Sequence, residues 1–361
     1  METDTTLVYY LFIRFIIFVP FLYNDTKIIM TTALNSQNRS ISVVMCTFNG
    51  EKYLREQLDS ILRQTYPVLE LIVQDDGSTD NTCLIIEEYA AQYPFIKLYR
   101  NECQFGVVQN FFSAMQRAQG DLIALSDQDD IWEDNKLELQ VNAIGDSKCC
   151  AGKSAPFAAD GVSLSIDSRP SNYNLLRLLF VGSVAGHTML ITKSLLEETV
   201  QLSASFPIAR LQDTILAFVA TSHNSIVYVD SVLVHHRRHQ ANTTATYFDP
   251  HGNDKSIGNI FKIFHETGTL YRRLRHQIIK ILKSQEDFLS KIDSQEPILQ
   301  DALKILHLYR SRYFIDFVRL SFFCARRGNL LTFARGKQTF YTYLFGAFFP
   351  IYSARYYKWL L

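Results

Sequence analysis

Four short apolar runs, at 41–47, 69–74, 96–99 and 121–126, fix what this chain can fold into. Between them apolar residues return at helical spacing: Leu54, Leu58, Ile61 and Leu62 in the first interval, Phe111, Phe112, Met115 and Ala118 in the third. Pro67 stops the first helix, and Thr79-Asp80-Asn81 offers cap-type side chains to a second running to about Tyr89. Gly106 and Gly120 bracket the third. This β-α-β-α-β-α-β alternation predicts an α/β fold, a parallel sheet with helices on both faces. Every run ends in polar groups: Thr47 and Asn49, Asp75 and Asp76, Asn101, then Asp127 and Asp129. Parallel strands carry those ends to one edge, where such sheets bind ligands.

The fourth run breaks into Asp127-Gln128-Asp129-Asp130-Ile131-Trp132, three carboxylates within four residues. Two Asp side chains at i and i+2 on a turning backbone can face one hard cation. The same residues in isolation also suit a solvated acidic turn. No GxGxxG follows the first run and no GxxxxGK[ST] occurs anywhere. That argues against a dinucleotide oxidoreductase or a P-loop enzyme, and for phosphate held through a metal.

The 361 residues leave room for one large domain and an accessory region. Six cysteines without a CxxC read as thiols of a reducing compartment. Net charge is zero, but residues 251–361 hold 18 Lys and Arg against 8 Asp and Glu, so 251–361 carries +10 and 1–250 carries −10. Such asymmetry points to an anionic surface as partner. Beyond residue 140 the sequence suggests a strand pair at 156–160 and 163–166, another strand at 186–191 and a helix over 193–202. Further on, Asp213 precedes an apolar helix, and strands at 225–229 and 231–234 lead into His235-His236-Arg237-Arg238-His239. From about 255 the chain turns helical, basic and aromatic. Residues 314–361 contain Asp316 as their only acid and no apolar run of span length, which suits either an in-plane interfacial segment or a packed helix bundle. Leu7 to Tyr23 is apolar apart from Arg14 and Pro20, at the short limit of a membrane span. It reads as a membrane segment, with Lys27 and Arg39 keeping the next domain cytoplasmic, or as an upstream extension ahead of Met30. The expected division is 1–39 segment and linker, 40–250 catalytic domain, 251–361 helical region.

Ser42-Val-Val-Met-Cys-Thr-Phe-Asn-Gly50, Gln64-Thr-Tyr-Pro67, Val73-Gln-Asp-Asp-Gly-Ser-Thr-Asp80 and Leu125-Ser-Asp-Gln-Asp-Asp-Ile-Trp132 occur in that order. Together they resemble glycosyltransferase family 2, the last being most similar to its bacterial rhamnosyltransferase-like branch. The resemblance covers about residues 40–245. It implies a GT-A fold, Rossmann-like and mostly parallel, and an inverting, metal-dependent transfer from a nucleotide-diphosphate sugar. Carried over by position, it implies that Thr47 and Asn49 line the nucleotide pocket and that Asp76 bonds the base, as a carboxylate suits a pyrimidine N–H. Asp127 and Asp129 match the DxD motif, holding donor and Mg²⁺ or Mn²⁺. Asp213 matches the family's catalytic base, and His239 lies in a late Arg-x-His element that adds a metal ligand. Each has a plainer reading: Asp76 as a turn residue, Asp213 as a helix cap, His239 as a surface histidine. Asp130 is expected to cap the helix beyond Trp132, Arg237 and Arg238 to meet phosphate or solvent, Gly186 and Thr188 to shape the acceptor side, and His187 is given no role. Gln212 departs from the pattern, which has His or Glu there.

No Arg-Trp pair exists, so the processive Gln-x-x-Arg-Trp motif is absent. The expected activity is non-processive sugar transfer to a lipid-linked saccharide for bacterial surface polysaccharide, on the cytoplasmic side of the cell membrane. Expected partners are the donor, that acceptor and the membrane surface, without nucleic acid. A nucleotidyltransferase is one alternative, though Phe48-Asn49-Gly50 supplies no phosphate loop. A catalytically silent assembly subunit is the other, hinted at by Gln212 and His187.

Overall fold

A computed structural model describes residues 39–159, 173–180, 184–207, 210–239, 260–331 and 339–360. The apolar segment 7–23 and the run at 163–166 lie outside them. β1 (Ile41–Thr47) is buried at every residue but the half-buried Cys46 because its side chains alternate between two apolar layers. Ile41, Val43 and Met45 enter one layer and Val44 the other. β2 (Glu70–Asp75) and β4 (Leu122–Ser126) split in the same way, with Leu71, Val73, Leu122 and Ala124 opposite Ile72, Ile123 and Leu125. Strands covered on both faces read as unbroken apolar runs, which is how they appear in the sequence.

One layer is closed by α1 (Leu54–Leu62), α2 (Thr82–Gln92) and α4 (Lys136–Ile144). The other is closed by α3 (Val107–Met115), α5 (Leu175–Leu178), α6 (Lys193–Gln201) and α7 (Gln212–Ser222). With β3 (Ile96–Arg100), β5 (Ile131–Trp132), β6 (Cys149–Ala158), β7 (Leu190–Thr192) and β8 (Ile226–Arg238), the sheet runs β3-β2-β1-β4-β7-β6-β8-β5.

The first four strands are parallel, as the alternation predicts. Pairing Thr47 with Asp75 and Met45 with Ser126 brings their polar ends level. The other half departs from a parallel sheet: β7 is antiparallel to β4 and β6, and β5 to β8. Two further expectations are corrected. The late runs at 225–229 and 231–234 are one strand, β8. Residues 131–132 are strand, and helix α4 begins only at Lys136 after Asn135, so Asp130 caps no helix. The β5–β8 pairing sets Ile131 opposite His235 and Trp132 opposite Val234, which lays 127–130 alongside 236–239.

The C-terminal part is helical: α8 (Ile260–Leu289), α9 (Pro297–Arg310), α10 (Phe314–Ala325), α11 (Gly328–Leu331) and α12 (Phe340–Tyr352). Its buried residues, among them Ile278, Leu282, Ile305 and Phe349, join the same apolar layer as α5 and α7. Polar ties cross the seam: Ser294 Oγ donates to the Ser222 carbonyl at 2.7 Å, and Arg177 Nη1 to that of Leu331 at 3.0 Å. No described helix is long and apolar enough to cross a membrane.

Candidate active site

The ends of β1 and β2 form a closed polar lattice. Thr47 is buried, and its hydroxyl donates to Asp75 Oδ2 at 2.8 Å. Asp75 Oδ1 accepts from the Gly77 and Ser78 amides at 3.1 and 2.8 Å. Asn49 sits at φ +49°, in the left-handed region that Asn tolerates. Its Oδ1 accepts from the Thr79 amide at 2.9 Å, tying the first strand's loop to the second's. Asp76 Oδ1 accepts from Asn101 Nδ2 (2.8 Å) and the Phe105 amide (2.7 Å), and Oδ2 from the Gly106 amide (2.9 Å). Asp76 thus holds the loop that starts α3, and Thr47 positions Asp75.

The end of β4 is different in kind. Gln128, to which the sequence assigns nothing, donates Nε2–H to the Phe48 carbonyl (3.1 Å) and accepts at Oε1 from the Phe48 amide (2.9 Å). This two-point clasp fixes the acidic turn against β1. Gly50 makes room for it, since a Cβ there would lie 2.2 Å from Gln128 Oε1. The three acids then take different surroundings. Asp127 keeps 43% of its side chain exposed. Asp129 Oδ2 meets His239 Nε2 at 2.7 Å, and the His239 ring lies 5.0 Å from that of Tyr53.

Asp130 is fully buried. Its Oδ1 accepts from the Arg237 amide at 2.9 Å, while its Oδ2 accepts no hydrogen bond. Arg237 is buried and not solvated. Its Nε donates to the Asp129 carbonyl (2.9 Å), its Nη2 pairs with Glu56 (2.9 Å), and its guanidinium stacks between Tyr53 and Phe157.

His187, given no role by sequence, stands at the centre. It occupies a 3-10 turn, Gly186–Thr188, between α5 and β7. Nδ1 lies 3.3 Å from Asp127 Oδ2 and 3.4 Å from Asp130 Oδ2, and Nε2 lies 2.9 Å from Ser154 Oγ on β6. Asp127, Asp130 and His187 each offer a ligand atom within 4.8 Å of the others. The turn is held from behind, where Gln140 Nε2 donates to the Thr188 carbonyl at 2.8 Å and Lys136 Nζ to Gln140 Oε1 at 2.8 Å. Nothing in a single sequence marks a lone His sixty residues downstream as the partner of an acidic turn.

Asp213 lies in the first turn of α7 and is buried. Its Oδ1 accepts from the Thr214 amide (2.5 Å) and hydroxyl (3.2 Å). Leu211, not Asp213, holds the cap position, without a side-chain bond. Asp213 packs on Gly186, where an added Cβ would come within 3.2 Å of the Asp213 Cβ. Sequence positions 127, 130, 187 and 213 therefore form one polar wall.

Burial makes this wall electrostatically crowded. It pushes Asp130 up to about 7, with Asp127 and Asp129 adding to the rise and His187 opposing it. It pushes Asp213 up to about 6 against the Thr214 bonds, with Asp127 adding. Asp129 is raised by burial and by Asp127, and lowered less by His239. His187 is raised: burial opposes its charge, but Asp130, Asp127 and Asp129 outweigh it. His236, its ring 4.7 Å from His187, is pushed down to about 4 by burial and by that neighbour. Three carboxylates crowd around His187 and His239, and Asp130 Oδ2, which makes no hydrogen bond, has His187 Nδ1 3.4 Å away. Carboxylate with imidazole is a donor set that fits a hard divalent cation.

Residues 42–182 match the family model described as Glycosyl transferase family 2. This stretch is a glycosyltransferase family 2 domain. An Escherichia coli relative, UDP-Glc:alpha-D-GlcNAc-diphosphoundecaprenol beta-1,3-glucosyltransferase WfgD, is 39% identical over 104 residues, which is 29% of this chain and 40% of that protein. The chain therefore spans well under half of that relative's length. The putative glycosyltransferase EpsH of Bacillus subtilis is 29% identical over 266 residues, 69% of this chain and 74% of that one. Among solved structures, Staphylococcus aureus TarS in complex with UDP-GlcNAc superposes with a TM-score of 0.52 at 16% identity, covering 81% of this chain and 82% of that one. At such identity the likeness speaks for the fold alone, and that fold is GT-A.

Proposed function

We propose that this family 2 domain belongs to an inverting, non-processive glycosyltransferase that moves a sugar from a nucleotide-diphosphate donor to a lipid-linked saccharide. The observation that carries the reading is Asp213, a buried carboxylate raised to about 6 and seated on Gly186 beside the Asp127–Asp130–His187 cluster. A base of that affinity is ionised at neutral pH yet still takes a proton readily. As the acceptor hydroxyl attacks the anomeric carbon, the bond to the donor's diphosphate breaks and its electron pair leaves with the nucleotide. The hydroxyl proton goes to Asp213 Oδ2, because Oδ1 is held by Thr214.

Asp127, Asp129 and His239 are the residues we assign to Mg²⁺ or Mn²⁺, which when bound neutralises charge on the departing diphosphate. Asp130 and His187 fix Asp127 from the buried side. Asn49 and Asp76, with Thr47 behind Asp75, shape the nucleotide end through the loops they hold. Residues 40–250 would carry the chemistry and 251–361 would keep the enzyme at the cytoplasmic face of the membrane, in polysaccharide assembly.

Donor turnover with added Mn²⁺ tests this on a panel that includes a rhamnose donor, suggested by the motif's branch, and UDP-glucose, named for the E. coli relative. Wild type, Asp129→Asn and Asp213→Asn are compared with a lipid-linked acceptor. Equal turnover in all three removes the reading.

A further inference from the structure

The outward sides of the C-terminal helices are sorted by chemistry. On α10, Phe314, Ile315 and Phe322 are exposed, Phe314 at 79% and just after the exposed Tyr313. On α12, Phe340, Leu344 and Phe348 are exposed at successive turns, Phe340 at 78%. α10 and α12 pack on each other, so these stripes belong to neighbouring elements. α8 buries Leu274, Ile278 and Leu282 and turns Arg272, Arg273, His276, Lys280 and Lys283 to solvent. Between α8 and α10 a cavity of about 240 Å³ is lined by Tyr271, Arg275, Arg312 and Phe314, among others. Arg275 Nη2 bonds the Ser311 carbonyl there at 2.9 Å.

We infer that this surface docks on an anionic phospholipid bilayer, with the aromatic stripes of α10 and α12 at the acyl boundary and the basic face of α8 against headgroup phosphates. The inference deepens the reading of a lipid-linked acceptor and rests on it for its biological sense. Large aromatic side chains this exposed are costly in water and favourable at a membrane interface. The exposed Lys and Arg of α8 are drawn to an anionic leaflet within a Debye length.

Flotation of the full chain with phosphatidylcholine vesicles, with and without phosphatidylglycerol, tests the proposal. One variant replaces Phe314, Phe322, Phe340 and Phe348 by Ser, and a second replaces Arg272, Arg273, Lys280 and Lys283 by Gln. All these residues are exposed, and thermal melts check that both variants fold. Wild type floats with the anionic vesicles. The aromatic variant loses at least about tenfold in vesicle affinity, and the basic variant loses its preference for phosphatidylglycerol and its salt sensitivity. Wild type remaining at the bottom, or an aromatic variant floating like wild type, overturns the proposal. A wild-type dimer that dissociates in the aromatic variant, without vesicle binding, overturns it in favour of a self-interface. Donor hydrolysis in free solution stays unchanged in both variants. A chain that floats but turns over no donor would refute the transferase reading alone, and one that turns over donor but stays at the bottom would refute the docking surface alone.

Discussion

Two strand ends in this protein each present an Asp-Asp pair, and the sheet treats them in opposite ways. Asp75-Asp76, in the parallel half, spends its oxygens on amides and hydroxyls of Thr47, Gly77, Ser78, Phe105 and Gly106. Asp129-Asp130, where the parallel half meets the mixed half, is left with a buried oxygen that no donor satisfies. A carboxylate fully bonded to backbone amides shapes a loop and has little left to offer a cation. A carboxylate buried without donors costs free energy until a proton or a metal arrives. The first pair holds loops together, and in the proposed reaction the second supplies the charge imbalance that a metal and a base would exploit.

The sharpest way to break this contrast is at the base. Asp213→Asn is expected to lower transfer by about 10²–10⁴-fold with little change in donor binding, read as kcat and KM separately. In wild type, with Asp213 near 6, kcat/KM should fall about tenfold per pH unit once pH drops below that value and level off above about 7. A flat profile down to pH 5 would exclude Asp213 as the titrating base. Next comes Asp129→Asn, expected to raise the Mn²⁺ concentration for half-activation by about 10–100-fold, followed by metal titration of initial rates. Removing the metal with a chelator should abolish wild-type turnover reversibly.

A stability test addresses the satisfied pair. Asp76→Ala leaves the Phe105 and Gly106 amides without their acceptor and should cost about 1–3 kcal/mol by urea unfolding. Asp130→Asn should do the reverse. With Asp130 held near 7 in the fold against an ordinary 3.8, the folded chain grips that proton more tightly than the unfolded chain. The stability this lends is complete below about 3.8 and is lost as pH rises through about 7. Without divalent cation, the Asn variant should therefore gain on wild type between pH 5 and pH 8, by about 1–3 kcal/mol at the upper end. Melting temperatures that differ equally at both pH values would mean that Asp130 carries no such burden.

The parallel half was legible in the sequence because its information is local. Runs such as 41–47 and 121–126 announce buried strands, the helical spacings between them announce the covering layers, and the polar residues at each run's end announce the working edge. The acidic turn could be read as such from Asp127-Gln128-Asp129 alone. What the turn does could not, for its partners come from far along the chain: His187 from a 3-10 turn, Ser154 from β6, Arg237 and His239 from the end of β8. Their proximity follows from antiparallel and mixed pairings that no short-range pattern specifies. Asp130 shows the limit most clearly. By sequence it is a helix cap. By structure it is the buried member of the cluster, because at the next residue the chain enters β5 and pairs with β8 instead of starting a helix. Residue type and period determined the strands, the edge and the chemistry on offer. Tertiary pairing alone decided that Asp130 is buried with one oxygen unbonded, since desolvation depends on everything that packs around a group and not on its neighbours in sequence.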